Sequence, residues 1–423
     1  MNRFNRLEDN RVKKRKKKVI IVFLFLFSFI LSLVFLFTYI YNSPINASDF
    51  PIIRIKCDKK IASNKYLNCT FEMQGNEEFD SVDQLNAKIK LGGRLNAKMP
   101  KKPYRIELSN PISLAGMRED DDWHLFALYM DLTRMRIKLA MDLWNALYTT
   151  DQTAILPHSE YVLLYLNGEF LGLYLLAEKN DRRLFGLDDT TANENSSLII
   201  QSDSHDLNFH DYYSNGWDQD WPNEYEGIYI KNSILQDLVN FIGLTSDDIF
   251  FNKTNGIFTR FDKLNLIDFF VFNFFLLHKD FWSHNYFLVR NTAPNKFFLI
   301  PWDFDSSFGQ FLGIKYSPEE DLEPEIFKRN FLFFRLMNNP DFMSDAKERW
   351  LNLRDTILSE ESILDRLTEI YDKIKDAIEV DTNKWYHSDE DANWSLKVDE
   401  AIDYLYNWIP DRLEYCDFYF LKF

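Results

Sequence analysis

An acid and an amide close together in the chain are the residues best suited to chemistry. In "HKDFWSHN", residues 278–285, Asp280 precedes Asn285 by five positions, and Asp303 follows one apolar hairpin later in "PWDFD". Phosphoryl-transfer enzymes of the protein-kinase type use one Asp to accept a hydroxyl proton, and an Asn and a second Asp to bind metal ions. Asp280 is therefore the predicted catalytic residue. Asn285 and Asp303 are predicted ligands of Mg²⁺ or Mn²⁺, which prefer hard oxygen donors.

Each of these residues also has an ordinary structural interpretation. Asp280 could cap a helix end, Asn285 could begin a strand, and Asp303 could close a turn. Their combination favours function, because the hairpin between the two segments would fix both of them on rigid strands. Asp305 is equally well interpreted as a second metal ligand or as a turn acid.

A nucleotide site also needs a cation for the phosphates. "LGGRLNAKMPKKPYRIEL" places Gly92 and Gly93 in a turn, followed by Lys101, Lys102 and Arg105. If strand alternation extends through this segment, Lys102 points inward and the other two cations point outward. Lys102 is therefore the preferred ATP-binding cation, with Arg105 as the alternate, and Gly92 and Gly93 are predicted to form the ATP-binding turn.

Two further acids are candidates for this site. We expect an acid from the following helix to orient the lysine, and Asp142 is preferred over Asp131. Glu178 ends the run "LYLLAE", where a kinase hinge would contact adenine, so it is predicted to bind ATP. An equally good alternative is that Glu178 is a solvated strand terminus.

Apolar patterns predict the elements that would position these residues. Residues 51–108 alternate apolar and polar residues between turn residues, which is typical of strands. Residues 131–147, "DLTRMRIKLAMDLWNAL", carry apolar side chains at helical spacing. Asn167-Gly168 between two apolar runs predicts a tight hairpin. The first part of the chain is thus predicted to contain strands, one helix and a hairpin.

The later part of the chain is predicted to be mainly helical. A helical run ends at "LLHKD", a hairpin follows, and helices dominate from Pro324 onward. The predicted fold class is α+β, with a β-rich part at residues 51–180 and a mainly helical part at residues 181–423. The helical part would contain the catalytic loop 278–285 and the metal-binding segment 303–305.

The N-terminal region has a composition unlike the rest. Residues 1–18 hold nine Lys or Arg and two acids, and residues 19–41 form an uncharged, mostly apolar run. Such a run is long enough to span a bilayer, and a retained anchor is favoured over a cleaved signal peptide. We expect a basic cytoplasmic tail, a transmembrane helix at 19–41 and a stalk at 42–50. The positive-inside rule then predicts a single-pass membrane protein with an extracytoplasmic body.

Charge and cysteine content limit the possible partners. The formal net charge is −16 although the first 18 residues are strongly basic, so the body is very acidic. An acidic body excludes nucleic acid as a partner, because binding to phosphates requires clustered Lys and Arg. The three cysteines are too few for a Cys-based metal cluster. Cys57 and Cys69 could form a disulfide or remain free buried thiols.

Four segments together resemble a known family. "KMPKKPYRIEL", "YLNGEFLGLYLLAEK", "HNYFLVRN" and "PWDFDSSFG" are similar, in this order, to signature segments of the CotH protein-kinase family, which is named for a bacterial spore-coat component. The resemblance covers roughly Pro51 to the C-terminus. It implies a two-lobed, atypical protein-kinase-like fold and the use of ATP with a divalent metal. Asp280 falls on the catalytic aspartate of the family, Asp303 on its metal-binding aspartate, and Asn285 on its H-N-Y position.

The resemblance also implies a function and leaves alternatives. The implied activity is phosphorylation of Ser or Thr in secreted, coat or surface proteins by a membrane-anchored kinase. Two departures stand out: "LGGRLNAKM" lacks the R-G-N-S-like stretch of the family, and Ile137 replaces an Asn in "MRIKL". An inactive CotH-like scaffold for surface binding or coat assembly is therefore the alternative. Metal-dependent hydrolysis of phosphate esters is a third, weaker one.

Overall fold

The computed structural model describes residues 49–423 apart from short gaps, which are 62–64, 189–194, 203, 205–206, 223, 280, 312, 387–393 and the side chains of 224–229 and 394–396. The chain divides after Asp49, and Phe50–Phe423 forms one unit. The predicted basic tail 1–18 and the predicted membrane helix 19–41 lie outside the described residues, as does Asp280.

A seven-stranded closed barrel forms the first part of this unit. Its strands are β1 (Ile52–Cys57), β2 (Leu67–Gln74), β3 (Val82–Leu91), β4 (Tyr104–Ser113), β5 (Glu119–Phe126), β6 (Ser159–Leu166) and β7 (Glu169–Glu178). The order is β1-β2-β3-β4-β5-β7-β6, and parallel pairing of β1 with β6 closes the barrel. Helix α1 (Arg136–Ala146) lies between β5 and β6 along the chain.

Alternation within the strands explains the barrel. Inward-facing positions carry aliphatic and aromatic side chains that fill one core, including Ile53, Ile55, Phe71, Ile89, Ile106, Trp123 and Leu164. The predicted Asn167-Gly168 hairpin is confirmed between β6 and β7. Both of its turn residues have positive φ, 52° and 83°, as a tight hairpin turn requires.

One of the two possibilities for the cysteines is realised. Cys57 and Cys69 are paired residues of β1 and β2, and they form a disulfide. Cys416 is a buried free thiol, and burial raises its pKa to about 11. The disulfide covalently links the last residue of β1 to β2 within the barrel.

A second sheet follows the barrel in sequence. Its strands are β8 (Leu198–Ser202), β9 (Trp217–Trp221), β10 (Tyr286–Arg290) and β11 (Phe298–Pro301), in the order β11-β10-β8-β9. All of the pairings in this sheet are antiparallel. A small ribbon of β12 (Gln310–Phe311) and β13 (Ile314–Lys315) comes directly after it.

Helices make up most of the remaining chain. They are α2 (Glu224–Leu244), α3 (Asp247–Phe250), α4 (Ile257–Arg260), α5 (Lys263–Phe275), α6 (Glu323–Arg329), α7 (Phe331–Met337), α8 (Pro340–Arg354), α9 (Glu360–Trp385) and α10 (Trp394–Phe420). Every residue of α5 from Asn265 to Phe275 is buried, and α5 packs against α8, α10 and β11. A helix that is buried on all sides forms the centre of its layer. The predicted α+β class, β-rich first and helical later, is confirmed.

The predicted membrane localisation requires a correction. Among the helices of the described residues, none is both long enough and apolar enough to cross a bilayer. The longest, α9 and α10, carry charged residues along their length, which is why they do not qualify. The prediction of a single-pass membrane protein with an extracytoplasmic body is therefore not kept.

Candidate active site

The β10–β11 hairpin brings two of the predicted site residues to one end. Tyr286, the first residue of β10, pairs with Pro301, the last residue of β11. Asn285 directly precedes Tyr286, and Asp303 follows Pro301 with Trp302 between them. The backbone N–H of Trp302 donates to the carbonyl oxygen of Asn285 at 2.8 Å. The structure thus places the backbones of Asn285 and Asp303 at the same end of one hairpin.

Both residues have a left-handed backbone. The φ angle is 64° at Asn285 and 64° at Asp303. This region is uncommon for residues other than glycine, and it is retained where surrounding contacts enforce it, often at functional sites. Asn285 is held by a hydrogen bond from its N–H to the carbonyl oxygen of Ser202 at 3.2 Å. Both predicted metal ligands therefore have a left-handed backbone, as do seven other non-glycine residues of the described chain.

His278 fixes the backbone of Asp303. This histidine lies just beyond α5, is fully buried, and stacks between the rings of Phe281 and Phe304. Its Nε2 lies 3.0 Å from the carbonyl oxygen of Asp303, which accepts the hydrogen bond. His278 thus connects the central buried helix to the segment that carries the predicted metal-binding acid.

The glycine turn reaches the same segment. Gly92 and Gly93 follow β3, and the N–H of Gly92 donates to the carbonyl oxygen of Pro103 at 3.0 Å. Further along this turn, the side-chain amide of Asn96 donates to Asp305 Oδ2 at 3.3 Å. The loop between β3 and β4 therefore contacts the predicted metal-binding segment 303–305, although the two are far apart in sequence.

The choice between Lys101 and Lys102 assumed that strand alternation extends through both residues, and it does not. Strand β4 begins at Tyr104, after Pro103, so Lys101 and Lys102 precede it. Lys102 is half-buried, and its ammonium group donates to the carbonyl oxygen of Ala97 at 3.0 Å. Lys101 is the fully buried lysine. The prediction that Lys102 is the inward-pointing residue of the pair is wrong.

Lys101 belongs to a buried group of charges that we name the inner cluster: Lys101, Arg134 and Asp381. The ammonium group of Lys101 lies 2.6 Å from Asp381 Oδ1, and Arg134 Nη2 lies 3.2 Å from Asp381 Oδ2. The N–H of Leu173 also donates to Asp381. Burial lowers the pKa of Lys101 to about 8, Asp381 opposes this shift, and Arg134 adds to it.

The acids predicted to orient the lysine have other partners. Asp142 Oδ1 accepts a hydrogen bond at 2.6 Å from Lys138, one turn away on the same helix. Asp131 pairs with Arg136. The prediction that Asp142 orients Lys102 is therefore wrong. The acid that pairs with the neighbouring Lys101 is Asp381 from α9.

A second group of cations lies on the outside of the barrel. We name it the outer face: Lys90, Arg105 and Lys179. Arg105 is exposed and pairs across strands with Lys90 on one side and His124 on the other. The rings of His124 and Trp302 lie 6.1 Å apart. Because Trp302 directly precedes Asp303, the outer face adjoins the end of the hairpin.

Burial and the cations of the outer face lower the pKa of the neighbouring His124. Burial, together with the charges of Arg105, Lys179 and Lys90, holds the pKa of His124 well below its usual 6.5. The imidazole is therefore neutral at neutral pH. Lys179 pairs with Asp122 at 2.9 Å, whereas Arg105 makes no hydrogen bond or ion pair with another described residue. Arg105 therefore remains available to an anion, as does Lys90, whose ammonium group lies over the ring of Tyr66.

The side chain of Glu178 is not exposed to solvent. It is buried, and its two carboxylate oxygens accept hydrogen bonds from the N–H of Arg118 at 3.0 Å and of His158 at 2.9 Å. These contacts tie the β4–β5 turn to the start of β6. The alternative of a solvated strand terminus is therefore wrong, and contact with adenine stays a prediction.

The donor set can be compared with what a metal requires. In the part of the chain that is described, no group of three or more His, Cys, Asp or Glu side chains is arranged to hold a metal ion. Asn285 and Asp303 supply an amide and a carboxylate, which are hard oxygen donors. Mg²⁺ is usually bound by one or two carboxylates together with substrate phosphates. The residues therefore fit a metal that binds together with a nucleotide.

Two comparisons with known proteins agree with each other. The sequence model of the family described as "CotH kinase protein" matches residues 89–416. The inner spore coat protein H of Bacillus subtilis (strain 168) is 23% identical over 327 residues, which is 74% of this chain and 82% of that protein. The matched region contains the loop between β3 and β4, the outer face, the inner cluster and the hairpin end.

Proposed function

Because the chain belongs to the CotH kinase protein family, we propose that it is an ATP-dependent kinase that phosphorylates Ser or Thr of coat-type proteins. The observation that carries this proposal is the hairpin end, where Asn285 and Asp303 flank the paired strands close to the outer face. On that face Arg105 has no ion pair with another described residue. Family membership supports a kinase-like activity. The name of the Bacillus relative, inner spore coat protein H, motivates the substrate class.

Asn285 and Asp303 are the proposed metal ligands. When bound there, Mg²⁺ or Mn²⁺ would neutralise charge on the transferring phosphoryl group. The left-handed backbone at both positions fixes the direction in which each side chain leaves the hairpin end. Asp280 is proposed from the sequence spacing alone as the residue that accepts the hydroxyl proton.

Arg105 is the proposed phosphate-binding cation. Lys102 is engaged by the loop carbonyl of Ala97, and Lys101 by Asp381. Arg105 has neither constraint and lies on the face that adjoins Trp302. A guanidinium group can donate two parallel hydrogen bonds to phosphate oxygens, so Arg105 suits this role better than a lysine would. The Gly92-Gly93 turn would cover the phosphates from the β3–β4 side.

A phosphate-transfer assay tests the proposal. The protein is incubated with ATP and Mn²⁺, alone and with a casein-like acceptor, and phosphoprotein is quantified by mass spectrometry. We expect transfer by the wild type and loss by at least about a hundredfold in Asp303→Asn, because a metal ligand is removed. The matched control is Asp341→Asn, which changes an exposed acid on α8. Absence of any transfer by the wild type, with either metal, contradicts the proposal.

An inactive scaffold is the second candidate. Its support is that Lys102 and Glu178, two of the expected nucleotide contacts, are already occupied by contacts within the protein. Thermal unfolding with ATP and metal separates the candidates, because a ligand that binds only the folded state raises Tm. Absence of metal-dependent stabilisation by ATP favours the scaffold. Release of inorganic phosphate without phosphoprotein favours ester hydrolysis.

A further inference from the structure

A cavity of about 400 Å³ opens between α2, α4 and the turn that joins β10 to β11. Its volume is within the range of small-ligand sites. Arg290, which lines it, ends the strand that Tyr286 begins, so the cavity lies at the other end of β10 from Asn285. Four residues of strand separate the two ends, a distance of about 13 Å.

Two arginines face this cavity. Arg290 is only 9% exposed, and its Nη2 donates to the carbonyl oxygen of Ser196 at 2.9 Å. Arg260 is half-buried, with its guanidinium 4.0 Å from the ring centre of Phe241. The Nε of Arg260 is buried and has no hydrogen-bond partner among the described residues. A buried Nε does not reach the cavity. Arg260 Nη1 donates to Asp237, so Nη2 is the nitrogen of this guanidinium that is left for a ligand.

The charge of the lining is positive in an acidic protein. Among the described lining residues, the acid is Asp237, whose Oδ2 lies 3.3 Å from Arg260 Nη1. The side chain of Asp237 is 74% exposed, so solvent screens it and the pair is weak. Guanidinium groups match the oxygens of a phosphate monoester, which can accept two hydrogen bonds from each.

Part of the wall between the charges is apolar. Ile234 and Leu238 of α2 face Pro294 and Phe297 of the turn. A free phosphate ion would leave these walls without contacts, whereas the carbon stem of a side chain would cover them. A phosphorylated residue therefore uses more of the cavity than the ion does.

We propose that this cavity binds a phosphorylated side chain of a protein partner. The proposal rests on the proposed function, since such a residue would be a Ser or Thr already phosphorylated on the substrate. About four extended residues of peptide span the distance from the cavity to the hairpin end. The cavity would thus hold a substrate by a phosphorylated residue while a second residue reaches Asn285 and Asp303.

Calorimetric titration tests binding without catalysis. The full chain carrying Asp303→Asn, free of nucleotide, is titrated with an Ala-phosphoserine-Ala peptide, the same peptide without phosphate, and inorganic phosphate. We expect the phosphopeptide to bind more tightly than inorganic phosphate and the unmodified peptide not to bind. Because transfer activity is absent from this background, failure of the kinase assay leaves this result unaffected, and the reverse also holds.

Three variants test whether the phosphopeptide binds in this cavity. Arg260→Gln should weaken the phosphopeptide about tenfold or more, the effect of losing one charge-assisted contact. Asp237→Asn should strengthen binding, because it removes the competing carboxylate. Arg329→Gln is the control, an arginine that pairs with Glu325 on α6, and it should change nothing. Far-ultraviolet circular dichroism confirms that each variant is folded.

Two outcomes overturn the proposal. One is a phosphopeptide affinity that neither Arg260→Gln nor Asp237→Asn changes. The other is binding of inorganic phosphate as tight as that of the phosphopeptide, which would make the cavity a site for the free ion.

Discussion

The inner cluster and the outer face use cations from the same short segment for different purposes. Lys101 lies inside, at 2.6 Å from Asp381, and Arg105 lies outside with no ion pair among the described residues. Only Lys102, Pro103 and Tyr104, the first residue of β4, separate the two cations. We infer from this difference that a buried cation with a paired acid supports the fold. An exposed cation without a paired acid is available to a ligand.

Energetics support this division. Removing one partner of a buried ion pair leaves an uncompensated charge, which costs about 3–5 kcal/mol, whereas surface changes usually stay within about 0.5 kcal/mol. The inner cluster also joins α9 to the barrel, since Asp381 accepts hydrogen bonds from Lys101, Arg134 and Leu173. Substitutions in the two regions should therefore affect different measurements.

The largest effect on stability is expected for Asp381→Asn. This change leaves Lys101 and Arg134 buried without a counterion, so the free energy of unfolding should fall by about 3–5 kcal/mol. Urea unfolding measures it. Asp376→Asn, on the exposed side of the same helix, is the control and should change stability little. Equal, small losses in both variants would mean that the inner cluster does not support the fold.

A smaller loss is expected for Gly172→Ala. A Cβ at Gly172 would lie 2.1 Å from Asp381 Oδ1, and φ there is 99°. The strain of a positive φ costs about 1–2 kcal/mol, and displacement of Asp381 adds to it. Gly168→Ala is the matched control, because φ is 83° there and nothing lies within 4 Å of its Cβ. The difference between the two variants measures the contact with Asp381, and no difference would contradict its importance.

Arg105→Ala should lower the affinity for ATP and leave the stability of the fold nearly unchanged. We expect ATP to bind about tenfold more weakly, as loss of a charge-assisted contact implies, with unfolding free energy changed by less than about 0.5 kcal/mol. Lys56→Ala removes an exposed charge from β1 and serves as control. Nucleotide affinity is measured by thermal shift with Mn²⁺. A large loss of stability with unchanged ATP affinity would reverse the roles assigned to the two regions.

Sequence patterns predict the hairpin end better than the inner cluster. Asn285 and Asp303 flank two apolar strands joined by a short turn, so local information is enough to bring them together. Asn and Asp adopt the left-handed region more often than most residues, but the sequence does not indicate which of them do so here. That depends on contacts with Ser202 and His278. The local part of the site was therefore predictable, and its strain was not.

The inner cluster depends on long-range contacts. Asp381 lies 280 residues from Lys101 along the chain, and Pro103 interrupts the alternation that was used to orient the lysines. One signal was present: Asp381 continues the buried stripe of α9 formed by Ile374 and Ile378, at helical spacing. An acid on an apolar helix face needs a buried cation, but nothing local identifies which cation it is.

The pH dependence of stability gives the smallest predicted effect. Burial lowers the pKa of Lys101 to about 8, from an ordinary 10.5 that the unfolded chain retains. Between these values the unfolded chain holds a proton that the folded protein has released, so the contribution of Lys101 to the free energy of unfolding rises with pH. Below about pH 8 the lysine is charged in both states, and this slope disappears.

Lys101→Met removes the titrating group, so comparison with the wild type isolates the contribution of Lys101 to the free energy of unfolding. In urea unfolding at pH 7, 8, 9 and 9.5, the stability of the wild type relative to the variant should be constant up to about pH 8. It should then rise by about 1 kcal/mol per pH unit. Lys56→Met, at an exposed lysine, should show no such rise. A constant difference between wild type and Lys101→Met across this range would mean that Lys101 keeps its proton in the folded protein. The inner cluster would then hold its charges more tightly than burial of the lysine implies.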